Sequence, residues 1–463
     1  MIGHPASPEA YQLLHEGTLA LAEVEAAGMK IDVDYLNKSI KRTKRQIKEI
    51  ESELEGDKLF RIWRRMNRDK TKLGSRQQLA RVLVAEGILK DVQINPKTNF
   101  VKADEAALEK TGHPFVTKYI KMEKLKKAES TYLRGIKREV VDGFIHPIFN
   151  LNVPITYRGS CERPNANNQP RRIEEMAKLV RTAFIPRKNH VLIELDFKRV
   201  EVCVAACYNK DPNLISYVKD KTKDMHRDTA ADLFMCDIED VSKDMRFHAK
   251  NQFVFAEFYG SVAQQCAPAL WESINRHDLA MADGAKVLEH LRENGIKSLG
   301  PCTFDREYKA KKGTYEYQVK AVEDSFWGDR FKVYAKWKED WWKQYLKRGW
   351  AEYHTGFVIR GLYRRNEVIN YPIQGSAFHC LLWCLTKLVK WIRKHKMKSR
   401  VINQVHDSLI CDVHKKELEA FLEKALHLMR NEILKHWPWL IVPLDVEGEL
   451  CRKNWYEKEE LVI

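Results

Sequence analysis

The sequence predicts an α+β fold: a largely helical chain with a few strands far apart along it. Three observations carry this expectation. Apolar residues recur at helical spacing over long stretches near both ends of the chain. Runs rich in β-branched and other apolar residues at 191–196, 401–413 and 441–448 read as strands. One irregular stretch at 151–172, LNVPITYRGSCERPNANNQPRR, has the Pro, Asn, Gly and Ser content of a structured loop.

Taken in order, YQLLHEGTLALAEVEAAG (11–28) predicts a helix closed by glycine, the usual C-cap residue. In IDVDYLNKSIKRTKRQIKEIESELE, Leu36, Ile40, Ile47, Ile50 and Leu54 fall 4, 7, 3 and 4 apart. That spacing is a long amphipathic helix with a narrow apolar seam and basic outer faces. The following FRIWRRMNRDKTKLGSRQQLAR holds eight basic residues from Arg61 to Arg81 against Asp69 alone, with Phe60 and Trp63 interleaved. A charge run is ordinarily a solvated helix face. Here its one-sidedness favours contact with a phosphate backbone. VLIELD (191–196) is a strand ending in an acid, and 211–260 reads as helices. Residues 262–325 are polar, mixed and uninformative. Five tryptophans within 326–350 suggest helical packing, and 371–396 is a further helix.

Composition narrows the function classes. With 463 residues, 44% of them apolar, the chain can bury a large core. No run of about 18 apolar residues offers a membrane span. The N-terminal stretch lacks the basic-then-apolar pattern of a secretion signal, so a cytoplasmic, monomeric protein is expected. The ten cysteines include no CxxC pair and read as reduced core thiols rather than zinc ligands. Eighty basic residues against 64 acidic ones, net +16, suit a polyanionic partner such as nucleic acid.

Two acids carry the chemistry. Asp196 ends one strand, and Asp407 sits inside another, QVHDSLICDV. An acid at a strand end is ordinarily a turn or cap residue. A carboxylate among Val405, Leu409, Ile410 and Val413 is costly to bury unless compensated. Two Mg²⁺ ions about 3.5–4 Å apart would compensate both acids and suit in-line displacement at phosphorus. Between the acids, DMRFHAKNQFVFAEFYG spaces Arg246 and Lys250 four apart, and Phe255 and Tyr259 four apart. Two cations followed by two rings fit a triphosphate, then a sugar and base. Taken alone, the helix reads as an ordinary amphipathic one with basic stems along apolar surface.

Together these pieces resemble family A DNA polymerases, the bacterial polymerase I type and its phage relatives. DFKRVEV (196–202) resembles motif A, RFHAKNQFVFAEFYG (246–260) motif B and QVHDS (404–408) motif C. YRGSCERPNANNQP, KDMHRDTAADLF and INYPIQGSA resemble three further family segments in the family's order. The resemblance implies a right hand with an antiparallel-sheet palm and largely helical thumb and fingers. It places a palm-packing helix at 1–30, the thumb at 31–137, palm at 138–207, fingers at 208–368 and palm again at 369–463. The family's exonuclease domain would precede residue 1, so no proofreading is expected, and a phage-like origin is suggested.

The resemblance also implies roles. Asp196 and Asp407 are the metal carboxylates, with the Phe197 carbonyl as an extra ligand; two Mg²⁺ ions are the cofactors and Mn²⁺ a substitute. Asp196, Asp407 and Lys250 are catalytic. Arg246, Lys250 and His226 hold the triphosphate, Glu201 is the steric gate under the sugar, and Phe255 and Tyr259 pack by the nucleotide. Arg158, Asn370, Gln374 and His406 contact primer or template, and Arg61, Arg64, Arg65, Arg68 and Lys72 grip the duplex. The implied reaction is template-directed addition of dNTPs to a primer.

Three departures stand out. Nine residues separate Lys250 from Tyr259 where the family has eight, a phase shift of about 100° that a π-bulge would absorb. Whether Val254 or Phe255 faces the sugar is left open by that shift. Ser408 stands where the family commonly has Glu, and Arg199 where it has Gln. Two other readings compete: a single-subunit RNA polymerase-like enzyme, and a catalytically inactive duplex-binding protein.

Overall fold

The computed structural model describes residues 7–90, 92, 94, 100–101, 103–171, 173–305 and 308–463. The first six residues of the 1–30 segment and Arg172 of the 151–172 loop lie outside the described residues.

Its sheet joins distant segments: β1 (His190–Lys198), β2 (Arg400–Val405), β3 (Ser408–His414), β4 (Asp445–Cys451) and β5 (Glu459–Leu461). The strand order is β5-β4-β1-β3-β2, antiparallel throughout. Central β1 buries Val191, Ile193, Leu195 and Phe197 on one face and Leu192 and Glu194 on the other, so it is covered on both faces. Three boundaries differ from the sequence reading. β1 runs past Asp196 to Lys198 because Asp445–Cys451 pairs along its whole length. β4 starts at Asp445, not 441, since Pro443 has no N–H to give a ladder. QVHDSLICDV is not one strand: His406 and Asp407 form the two-residue turn joining β2 to β3. His406 has φ 53°, the left-handed conformation such turns use.

Helices Pro8–Ala27 and Arg365–Lys394 pack together against this sheet. The first is capped by Ser7, whose Oγ accepts from the Ala10 N–H at 3.1 Å, and it ends at Gly28 with φ 64°. Within Arg365–Lys394, a Cβ at Gly375 would lie 2.3 Å from the Tyr353 ring and 2.5 Å from the Thr156 carbonyl. Gly375→Ala is therefore expected to destabilise by about 1–3 kcal/mol in chemical denaturation. Gly135→Ala, in a helix where an added methyl meets nothing within 4 Å, is the control and is expected to stabilise by up to about 1 kcal/mol.

A second core surrounds Trp63, enclosed by helices Val33–Gly56, Lys58–Asn67, Arg76–Ala85 and Pro114–Lys127. The apolar seam of Val33–Gly56 serves both cores: Leu36 and Ile40 join the main one, Ile47 and Leu54 the second. Phe60 and Trp63 are core residues, and Trp63 Nε1 donates to Gln78 at 2.9 Å. The arginines of their helix face outward for that reason.

Residues 262–325, uninformative in sequence, hold helices Ala263–Arg276, Val287–Glu293 and Tyr315–Ser325. Helix Lys332–Arg348 presents Trp337 and Trp341 to Tyr208, as ring packing. All ten cysteines are free. No described helix is long and apolar enough to cross a membrane.

Candidate active site

The acids meet where β1 passes the β2–β3 turn. Asp196 is in register with Ser408, and the Phe197 N–H donates to the Asp407 carbonyl at 3.2 Å. β1 carries a second buried acid, Glu194, two residues earlier and on the same face. Their surroundings differ. Glu194 accepts from Trp455 Nε1 at 3.0 Å and Lys458 Nζ at 2.6 Å. Burial alone would raise its pKa, but Lys458 more than offsets this and holds it low. Asp196 has a buried Oδ1 with no hydrogen-bond partner. Burial first, then Asp407 and Glu194, push its pKa well above the carboxylate range. Burial, then Glu201, raise that of Asp407. Arg171 near Asp196 and Arg158 near Asp407 offset this only in part, and two such carboxylates are what a divalent ion relieves. Oxygen-only donors suit Mg²⁺ better than zinc.

Asp407 lines a cavity of about 350 Å³ with Arg158, Glu201, Lys250, Phe255 and Tyr259, and with Asn370, Gln374 and His406. Its roof is the helix bearing the cations and rings. Lys243–Ala249 is α-helical, Lys250–Val254 is a π-turn, and α-helix resumes at Phe255–Phe258. The π-turn absorbs the extra residue, as the phase argument requires. Val254 is fully buried in the core, and Phe255 lines the cavity.

Cations gather on this side. Lys250 Nζ lies 5.2 Å from the Phe255 ring centroid, and His226 meets the same ring edge-on at 5.6 Å. Arg246 Nε donates to Asp224 Oδ2 at 2.6 Å, while Asp224 Oδ1 caps the helix that starts at Met225. Burial, then Lys250 and Arg246, push His226 down to about 3, so it is neutral. Burial, then Arg246, lower Lys250. Asp224 compensates Arg246, while Lys250 forms no ion pair with a described residue.

Glu201 accepts a short hydrogen bond from the Tyr259 hydroxyl and one from Arg158 Nη1 at 3.3 Å. Burial, then Glu201, raise the Tyr259 pKa. Asn370 Nδ2 donates to the Tyr259 carbonyl at 3.3 Å. Burial, then Arg158, lower that of His406. Arg246, His226 and Asp196 do not line the cavity. Arg61, Arg64, Arg65, Arg68 and Lys72 are exposed on the second-core unit and do not line the cavity.

Sequence reasoning missed three residues. Asp224 fixes Arg246; its signal was a helix-start acid two before His226. Arg171 acts electrostatically on both Asp196 and His406. Tyr334 lines the cavity from a segment without a readable motif.

Comparison with known proteins agrees with this geometry. The family model "DNA polymerase family A" matches residues 33–280 and 357–457. DNA polymerase I of Caldicellulosiruptor bescii is 28% identical over 441 residues, covering 94% of this chain and 46% of the relative. Thermostable DNA polymerase I of Thermus aquaticus is 27% identical over 455 residues, covering 95% and 47%. The chain spans about half the length of the curated relatives it matches. The solved POL domain of Pol1 from M. smegmatis, in complex with DNA primer-template and dNTP, superposes with a TM-score of 0.72 at 23% identity. That match covers 96% of this chain and 70% of the solved one. It gives the same right-hand α+β fold, and with the family match over most of the chain it means that this protein belongs to DNA polymerase family A.

Proposed function

We propose that the chain is a template-directed DNA polymerase that adds dNTPs to a primer 3′-hydroxyl. The observation that carries this reading is that Asp407, which interacts with Asp196, and Lys250, which lies beside Arg246 and His226, line one cavity. Asp196, Asp407 and the Phe197 carbonyl would hold two Mg²⁺ ions, or Mn²⁺ in their place. Bound there, they lower the pKa of the attacking hydroxyl and neutralise the leaving oxygens.

The chain's own residues do the rest. Arg246 and Lys250 bind the triphosphate, and neutral His226 donates a hydrogen bond to it. The primer 3′-oxygen attacks the α-phosphorus in line and pyrophosphate leaves. Lys250, its pKa lowered, gives a proton to the leaving oxygen. Phe255 and Tyr259 hold sugar and base, and Glu201 excludes a 2′-hydroxyl. Arg158, Asn370, Gln374 and His406 contact the primer–template beside the new pair, where minor-groove acceptors are alike for every correct pair. The Trp63-centred unit within 31–137 acts as thumb, the sheet within 138–207 and 369–463 as palm, and 208–368 as fingers.

Primer extension with Mg²⁺ and single dNTPs tests the reaction; no extension with any dNTP rules it out. Preference for rNTPs would instead identify an RNA polymerase, and duplex binding without extension an inactive binder. The thumb assignment has its own test. Arg61→Ala, Arg64→Ala and Arg65→Ala together are expected to reduce the slope of log affinity against log salt by about 0.9 per arginine. An unchanged slope removes those contacts.

A further inference from the structure

Beside the nucleotide cavity lies a second one, of about 380 Å³. Lys198, Arg199, Lys219, Lys221 and Arg430 line it, five cations against one acidic side chain, Asp445, with Ile463, whose O accepts from Arg430 Nη2 at 3.5 Å, also on its wall. The Asp445 carboxylate does not balance them. Lys221 and Arg430 both approach it only to 3.7 Å, and Lys198 approaches Glu447 at the same distance. Arg430 also keeps a buried Nε without a hydrogen-bond partner. The side chains of Arg199 and Lys219 form no hydrogen bond or ion pair with any described residue. Cations gathered at one concavity without matching anions raise the local concentration of anions.

Arg199 joins the two cavities, since it lines both. It is held in left-handed conformation, φ 56° and ψ 33°, at the start of helix Val200–Asn209, on the strand-to-helix turn that follows Asp196. Its charge reaches the triphosphate cluster: after burial and nearer cations, it contributes to lowering the pKa of both His226 and Lys250.

We propose that this second cavity is a phosphate-anion site that receives pyrophosphate from the nucleotide cavity, with Arg199 passing it across. The inference rests on the polymerase reading, because that reaction is what generates pyrophosphate. No bond is made or broken in the transfer; a polyanion moves between two groups of cations. The cavity accepts the same chemistry from solution, so added pyrophosphate and inorganic phosphate are both probes.

The test uses Lys219→Gln with Lys221→Gln, two exposed positions outside the nucleotide cavity. Sodium pyrophosphate is titrated into the full chain without divalent metal and followed by calorimetry. The double variant is expected to bind it about tenfold more weakly than wild type. In primer extension, inhibition by pyrophosphate is expected to weaken by a similar factor while the KM for dNTP is unchanged. A loss confined to pyrophosphate points to the product as occupant, and an equal loss for inorganic phosphate to a general phosphate site. Unchanged pyrophosphate binding in a folded double variant overturns the site. A KM for dNTP that rises in parallel overturns it as well, since the lysines would then serve the incoming triphosphate. Wild-type chain that binds pyrophosphate but extends no primer overturns the polymerase reading and leaves the anion site standing.

Discussion

Replacing Asp196 by Asn is expected to reduce nucleotide incorporation by about a thousandfold or more and, in EDTA, to make the protein more stable. Both effects have one cause. Asp196 and Asp407 are neighbouring and half-buried, and the buried Asp196 Oδ1 has no hydrogen-bond partner. Their folded pKa values are raised, so the folded state binds more protons than the unfolded one above the ordinary carboxylate range. Stability of the metal-free protein therefore falls as pH rises from about 4 towards the raised native values. Asparagine removes one charge, and the metal-free variant is expected to gain about 1–3 kcal/mol at pH 8. Glu194→Gln is the contrast: its charge is matched by Lys458, and the substitution is expected to destabilise. Thermal melts with and without Mg²⁺ check this. Wild type gains stability on adding Mg²⁺ and Asp196→Asn gains much less; equal gains would mean that the carboxylates do not hold the ion. Duplex affinity, carried by other residues, is expected to survive.

The second large effect is on sugar choice. Glu201→Ala is expected to raise ribonucleotide incorporation relative to deoxyribonucleotide by about a hundredfold. Glu201 lines the cavity and is fixed by the Tyr259 hydroxyl and Arg158. A 2′-hydroxyl entering there must displace a hydrogen-bonded carboxylate and leave two donors unpaired. Alanine opens that space. Competition between a dNTP and the matching rNTP on one primer gives the ratio directly. Unchanged selectivity would remove the gate from Glu201. Tyr259→Phe separates fixing from filling: it keeps the carboxylate but drops one of its two donors, so a smaller rise is expected.

Much of the fold was legible because periodic burial is a local property. The 4, 7, 3, 4 spacing from Leu36 to Leu54 predicted a helix, and Val33–Gly56 is one. Gly28 marked a helix end and lies at φ 64°. Counting residues between Lys250 and Tyr259 anticipated a π-turn, because one extra residue must either rotate the helix face or be looped out. Other features were not local. A turn at His406–Asp407 cannot be told from a continuous strand when QVHDSLICDV carries no Gly, Pro or Asn to mark it. Residues 262–325 gave no reading because the stripe that Ala263–Arg276 buries is largely small or weakly apolar, with Ala263, Cys266, Ala267 and Ser273 in it, and the other helices are short.

By itself the sequence determined which residues carry charge and rings, the order of the motifs and hence the family, since these depend on residue type and spacing. Only the tertiary structure decided their energetic state. Asp196 and Glu194 are both acids on one apolar strand; Lys458 and Trp455, more than 250 residues away in the chain, compensate one and not the other. Arg199 is a lone substitution in the sequence, and the fold makes it the boundary between two cavities. Compensation of a buried charge is set by what packs against it, and the packing partners are chosen by the whole chain.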